Sequence, residues 1–155
     1  MIVSALVFAL AVTAADPAPA AATPVVTLVI NGASAAVDDK EWSALAHVNA
    51  RGTEKDGSEH VFAGVALDVL LAKHGVPLGG DVLKGKLLAG VIIVEGEDGY
   101  RVAFGIGDVD SATSGRTMIL ANQRDGAAHP LQLVIPGDKR HARWCRQVVR
   151  ISYTP

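Results

Sequence analysis

Residues 87–104, LLAGVIIVEGEDGYRVAF, decide the class of fold. Leu87–Val94 is an apolar, largely β-branched run with the composition of a buried strand. Glu97-Asp98-Gly99 turns the chain and Tyr100–Phe104 returns it. A strand, a tight turn and a return strand make a hairpin, which joins antiparallel neighbours. The same grammar recurs along the chain. Val25–Ile30 is β-branched, Asn31-Gly32 is a turn signal, and Ala33–Val37 is the returning strand. His47–Thr53 and His60–Phe62 flank Lys55-Asp56-Gly57. Met118–Ala121 and Leu131–Ile135 lie either side of Arg124-Asp125-Gly126, and Gln147–Tyr153 is a last strand.

Helices are few and short by the same reading. Asp38 is placed to N-cap a helix carrying Glu41, Trp42 and Leu45. Val65–His74 gives a broad apolar face, with Gly75 at its stop and Pro77 beyond. Asp108–Ala112 is expected to form one helical turn, and Gly105-Ile106-Gly107 the turn before it. Many short, hairpin-connected strands with two or three helices define an α+β domain, not an alternating β-α-β one. No internal repeat is present.

The chain has 155 residues, which suits one domain, and half of them are apolar. Few are aromatic, so small and branched aliphatics must build the core. There are 14 Lys and Arg against 16 Asp and Glu, so no global field recruits nucleic acid or an anionic membrane. A single cysteine, Cys145, excludes an internal disulfide framework and a Cys₂ or Cys₄ zinc site.

The N-terminus reads differently from the rest. Residues 2–15, IVSALVFALAVTAA, are apolar or small throughout, too few for a comfortable membrane span of ~20 residues. They match the apolar core of a signal peptide, with small residues for cleavage near Ala14 or Ala15. The expected organisation is a signal peptide over 1–15, a Pro/Ala linker over 16–24 and a domain over 25–155. The protein is thus expected to be periplasmic or secreted, with no stable membrane span after cleavage.

No Gly-x-Ser-x-Gly, His-Glu-x-x-His or P-loop is present. His47, His60, His74, His129 and His141 show no ligand spacing. The uneven feature is Pro136–Arg146, where Lys139, Arg140, Arg143, Arg146 and His141 gather with one acid, Asp138. Pro136-Gly137 forces a turn whose following N–H groups can converge on an anion, and Arg143 suits bidentate contact with an oxyanion. A solvated basic loop anchored by Trp144 fits the same residues. Two readings stand for Cys145: an arginine-flanked thiol of lowered pKa, or a buried, inert one.

From about Thr27 to Tyr153 the chain resembles the molybdopterin-binding domain of sulfite-oxidase-like oxidoreductases, and more closely the small stand-alone versions of exported bacterial proteins. Four pieces carry the resemblance, in order. Phe62-Ala63-Gly64-Val65-Ala66-Leu67-Asp68-Val69-Leu70-Leu71 is similar to the family's aromatic-x-Gly-Val-x-Leu-x-x-Leu-Leu segment. Glu97–Val102 is similar to its Asp-Gly-Tyr hairpin, and Pro130–Arg140 to its Pro-Leu-x-Leu-Val-x-Pro-Gly strand and turn. Arg143-Trp144 with Val148–Ile151 is similar to its closing strand. The resemblance implies mixed β-sheets in layers with two or three short helices.

The departures from that pattern concern function. Enzymes of the family ligate molybdenum through a cysteine just before the aromatic-x-Gly-Val segment; this chain has His47-Val48-Asn49-Ala50-Arg51-Gly52-Thr53 there. The family commonly has a basic residue where this chain has Gln132, and its pterin site also draws on an N-terminal half that these 155 residues largely lack. The resemblance carries over Arg51, His129, Lys139, Arg140 and Arg143 as contacts to an anion or pterin, and no catalytic or metal-ligating residue. A soft metal in a redox site needs a soft ligand. The leading expectation is a non-catalytic binding or accessory protein, with a small anion, a pterin or a periplasmic protein as partner. The alternative is a molybdopterin-dependent oxidoreductase acting alone or with a partner subunit. A third, plainer expectation is an interaction module without a small ligand.

Overall fold

The computed structural model describes residues 25–155. The signal peptide over 1–15 and the linker over 16–24 expected before them lie outside the described residues. Nine strands form two sheets. In the first sheet, β1 (Val26–Ile30) pairs antiparallel with β2 (Ala33–Val37) through the Asn31-Gly32 turn. β9 (Val148–Thr154) lies beside β1 in parallel, with Leu28 opposite Ile151. β5 (Val91–Gly96) pairs antiparallel with β9 on its other side, and β6 (Arg101–Gly105) forms the edge. The order is β2-β1-β9-β5-β6, so the sheet is mixed. The second sheet is antiparallel throughout, in the order β3 (His47–Thr53), β4 (Glu59–Ala66), β7 (Ile119–Arg124), β8 (Ala127–Val134).

Strict alternation in the first sheet turns Val26 and Leu28, Ile92 and Val94, and Val102 and Phe104 inward. They join one core cluster with Phe62, Val65, Leu120 and Leu133 of the second sheet. In β7, Ile119, Leu120 and Ala121 are buried in succession. That pattern requires cover on both faces of the strand. The helix α2 (Leu67–Lys73) buries Leu67, Leu70 and Leu71.

One expectation about this region is corrected. Val65 belongs to β4, not to the helix, which starts at Leu67 and ends at Lys73. Ladder pairing wins over helical periodicity because β4 runs against β7 through Ala66, opposite Ile119. Close approach makes this pairing possible. A Cβ on Gly64 would collide with the Leu120 carbonyl oxygen and lie 2.6 Å from the Ala121 Cα. The ladder slips by one residue at this same point, between Ala63 and Gly64.

The expected helical turn at Asp108–Ala112 is two turns, α3 (Ile106–Val109) and α4 (Ser111–Ser114). Gly105 ends β6, and Ile106-Gly107 is already helical rather than a preceding turn. Asp110 divides the two helices. Its carboxylate is buried and accepts from Gly79 N at 2.8 Å and from Thr113 N at 3.1 Å, capping α4 while fixing the 79–82 loop. The first helix, α1 (Asp39–Ala44), forms as expected, with Asp38 accepting from Glu41 N at 2.7 Å. Glu41 then reaches Lys73 Nζ and His74 Nε2, each at 2.9 Å, tying α1 to the end of α2. 3₁₀ turns occupy Gly85–Ala89 and His141–Arg143. Strands 7 and 8 are longer than expected, β7 running on to Arg124 and β8 starting at Ala127. No helix among the described residues is long and apolar enough to cross a membrane.

Gly64→Ala should lower the denaturant midpoint of unfolding with an unchanged m-value, by about 3 kcal/mol, because backbone must move. Gly57→Ala has open space at a φ of +89° and should cost only about 1 kcal/mol. Equal losses would remove the close-approach explanation.

Candidate functional site

The Pro136–Arg146 segment leaves β8, turns, and feeds β9. Gly137 takes a φ of +85°, and Asp138 N bonds back to Ile135 O at 3.2 Å. Asp138 then organises the segment. Its largely buried carboxylate accepts from Arg143 Nε at 2.9 Å and from Arg143 Nη2 on the other oxygen, a two-pronged pair. Arg116 Nη1 adds a third contact at 3.3 Å. The hydrogen bonds to Asp138 hold the Arg143 guanidinium pKa above its usual value. The Arg143 guanidinium also lies 5.6 Å from the centre of the Phe104 ring.

Trp144 is the anchor. It is 5% exposed and meets the Phe62 ring edge-to-face at 5.7 Å and the His141 ring at 4.3 Å. It sits where Gly52 leaves room: a Cβ there would lie 2.5 Å from the indole Cη2. Leu133 N donates to Cys145 O at 2.8 Å, binding the segment to β8.

A groove of about 940 Å³ opens between this segment and the end of β3. Arg51 and Lys55 lie on one side, Lys139 and Arg140 on the other, with Trp144 in the wall. Among the described residues, none of these four cations has a carboxylate within 4 Å, whereas Asp138 and Glu54 are already engaged. Glu54 holds Arg124 at 3.8 Å and Arg146 at 3.5 Å. Glu59 is the groove carboxylate left to offset the four. The local balance is therefore cationic in a chain whose formal net charge is −2.

The structure thus brings Arg51, Lys139 and Arg140 together and adds Lys55. It places Arg143 in the ion pair with Asp138 instead of in the groove lining. His129 lines an adjoining cavity of about 560 Å³, which shares Glu54 and Lys55 with the groove. Its ring packs edge-on against Phe62, and its Nδ1 lies 2.7 Å from Pro130 O. Gln132 lines that smaller cavity and is nearly fully buried.

That cavity also holds a cluster not apparent in the sequence. Ser58 Oγ is 2.9 Å from His60 Nε2, and His60 Nδ1 is 2.6 Å from Asp125 Oδ2. Asp56 Oδ1 accepts from Ser58 N at 3.0 Å and from Ser58 Oγ at 2.6 Å. Both turns were visible in the sequence. Their meeting is set by β4–β7 pairing, which puts Phe62 opposite Arg124.

Molybdenum does not fit these residues. Cys145 is fully buried and lines neither cavity; its Sγ lies 3.8–3.9 Å from the carbonyl oxygens of Arg146 and Tyr100. Burial, then the charges of Asp98 and Glu95, push its thiol up to about 11, so the buried reading of Cys145 holds. Among the described residues, no group of three or more His, Cys, Asp and Glu is placed to hold a metal ion. No family model matches this chain, and no curated protein matches it. The fold is a two-sheet α+β domain with a groove lined by four cations that have no ion-pair partner among the described residues.

A thiol raised from 9.0 to about 11 favours the folded state while protonated. Between those values the unfolded chain has released the proton and the native one has not, so stability falls as pH rises. Wild type should lose about 2–3 kcal/mol more than Cys145→Ala between pH 8 and 11 in paired denaturant titrations. At pH 8 the native thiol should ignore a disulfide reagent that modifies the unfolded chain at once. Rapid native modification would show an accessible thiol.

Proposed function

We propose that the chain is an exported anion-binding or accessory domain, non-catalytic at its basic groove, with the sulfite-oxidase-like molybdopterin-domain fold, in which the metal-ligating cysteine is replaced by the β3 sequence around Arg51. One observation carries this reading: Arg51, Lys55, Lys139 and Arg140, all without ion-pair partners among the described residues, converge on one groove walled by Trp144. Guanidinium and ammonium groups recognise phosphate and carboxylate oxygens, the guanidinium in bidentate fashion. The ligand class is a small anion, with the phosphate arm of a pterin included.

The placement of the resembling segments supports the fold assignment. The Pro-Gly turn forms one side of the groove, Trp144 its wall, and Phe62 the packing behind Trp144. The mixed first sheet and the short helices agree with the layers that the resemblance implies. Periplasmic or secreted location rests on the apolar 2–15 stretch and the Pro/Ala tract after it.

Calorimetric titration with pyrophosphate at low ionic strength tests the site. Arg140→Ala and Arg51→Ala should each weaken binding roughly three- to tenfold, and added salt should do the same. Lys40→Ala, on an exposed position of α1, should leave it unchanged. Arg143→Ala should weaken binding by releasing the Asp138 charge toward the groove, and Arg143→Ala/Asp138→Ala should restore it. Equal effects of Arg140→Ala and Lys40→Ala would overturn the assignment. Elemental analysis of chain exported from a cofactor-competent host should find molybdenum far below one atom per chain.

A further inference from the structure

We propose that Ser58, His60 and Asp125 form a nucleophilic acyl-transfer site that hydrolyses small anionic carboxylic esters in the cavity beside the basic groove. This activity does not rest on anion binding in that groove. The serine precedes β4 and the histidine lies two residues on, so both side chains leave the same face of the extended chain. Ser58 Oγ stands 2.9 Å from His60 Nε2, and His60 Nδ1 stands 2.6 Å from Asp125 Oδ2. These are the contacts by which a base activates a hydroxyl and a carboxylate orients the base.

The carboxylate is itself fixed. Asp125 Oδ1 accepts from Val61 N at 2.9 Å, and Asp125 N donates to Val61 O at 2.8 Å. Asp125 is held at a φ of +52°, in the left-handed region, and these bonds keep it there. In the tautomer whose Nδ1 proton goes to Asp125, Nε2 presents its lone pair to Ser58. Asp56 also accepts from the Ser58 hydroxyl at 2.6 Å. Rotating that hydrogen from Asp56 to His60 moves no heavy atom. Closing the 54–58 turn accounts for the Asp56–Ser58 bonds. It does not account for a histidine bridging to a carboxylate 65 residues away.

The step balances. Ser58 Oγ forms a bond to the ester carbonyl carbon as its proton passes to His60 Nε2 and the carbonyl π electrons move to oxygen. Lys55 lines the same cavity and has no ion pair among the described residues, so its ammonium is available to that oxyanion. Collapse breaks the carbon–oxygen bond to the alcohol, which leaves with the proton from His60. Water, activated by His60 in turn, cleaves the acyl-serine and releases the carboxylic acid. The cavity of about 560 Å³ suits a small ligand. Lys55, Arg124 and Arg146 line it against the carboxylates of Glu54 and Asp56, so the lining keeps a small excess of positive charge for an anionic acyl group.

The test uses the full chain, a fluorophosphonate reagent mapped by peptide mass spectrometry, and 4-nitrophenyl hemisuccinate as substrate. Ser58 should be phosphonylated well above the exposed Ser34, and His60→Gln should abolish the excess. Ser58→Ala removes one oxygen and should reduce hydrolysis above background by at least about 100-fold. 4-Nitrophenyl acetate should turn over more slowly than the hemisuccinate. Circular dichroism and denaturant unfolding of each variant establish that the fold persists. Labelling of Ser58 no greater than that of Ser34, or a Ser58→Ala chain with wild-type hydrolysis, would overturn the proposal.

Discussion

Trp144 packed into the space left by Gly52 is the contact on which the basic groove depends. The indole can lie there because β3 carries no side chain at that position. Phe62 of β4 closes the other side, edge-to-face. Burial of one tryptophan contributes roughly 3 kcal/mol or more, and here it also sets position. The segment running from β8 to β9 is drawn against β3, and the space remaining between them is the groove. Among the described residues the indole Nε1 finds no hydrogen-bond partner, a cost that the packing offsets.

Electrostatics complete what packing begins. A chain near neutrality can still hold a cationic cleft if its carboxylates are committed elsewhere. Asp138 is occupied by Arg143 and Arg116, and Glu54 by Arg124 and Arg146. Both carboxylates thus support loop structure, and four cations left without partners among the described residues, Arg51, Lys55, Lys139 and Arg140, line the cleft. Arg143 illustrates the division. Its planar fork suits an anion, and it has one, but the anion is a side chain five residues earlier.

Local chemistry was legible in the sequence and distant meetings were not. Asn31-Gly32, Glu97-Asp98-Gly99 and Asp125-Gly126 carry the backbone signs of their turns, with Asn31 at a φ of +52° and Gly99 at +81°. Asp38 and Gly75 mark a helix start and a helix end by mechanisms confined to one turn of chain. Val65 misled because a β-branched residue next to a helix satisfies both periodicities, and only the opposing strand decides. The cationic cleft was half visible: Lys139 and Arg140 stood out by clustering. Arg51 came only through family resemblance, and Lys55 was read as part of a turn. The Ser58–His60–Asp125 contacts had no local signal, since a register between strands creates them.

The parallel pairing of β1 with β9 has a consequence for how the chain reaches this state. β9 is the middle strand of its sheet, flanked by β1 from the start of the described chain and by β5 from its centre. The β1–β2 and β5–β6 hairpins can each form as soon as their own residues are available, but each then waits with an open edge. Only when the last strand emerges can it slot between them, joining Leu28 on one side to Val94 on the other through Ile151. Assembly of this sheet is thus intrinsically a late event in synthesis, governed by long-range loop closure rather than by local preference. Until then the chain presents two unpaired ladders to whatever else is nearby, and a holdase that covers strand edges would have its greatest effect in that interval.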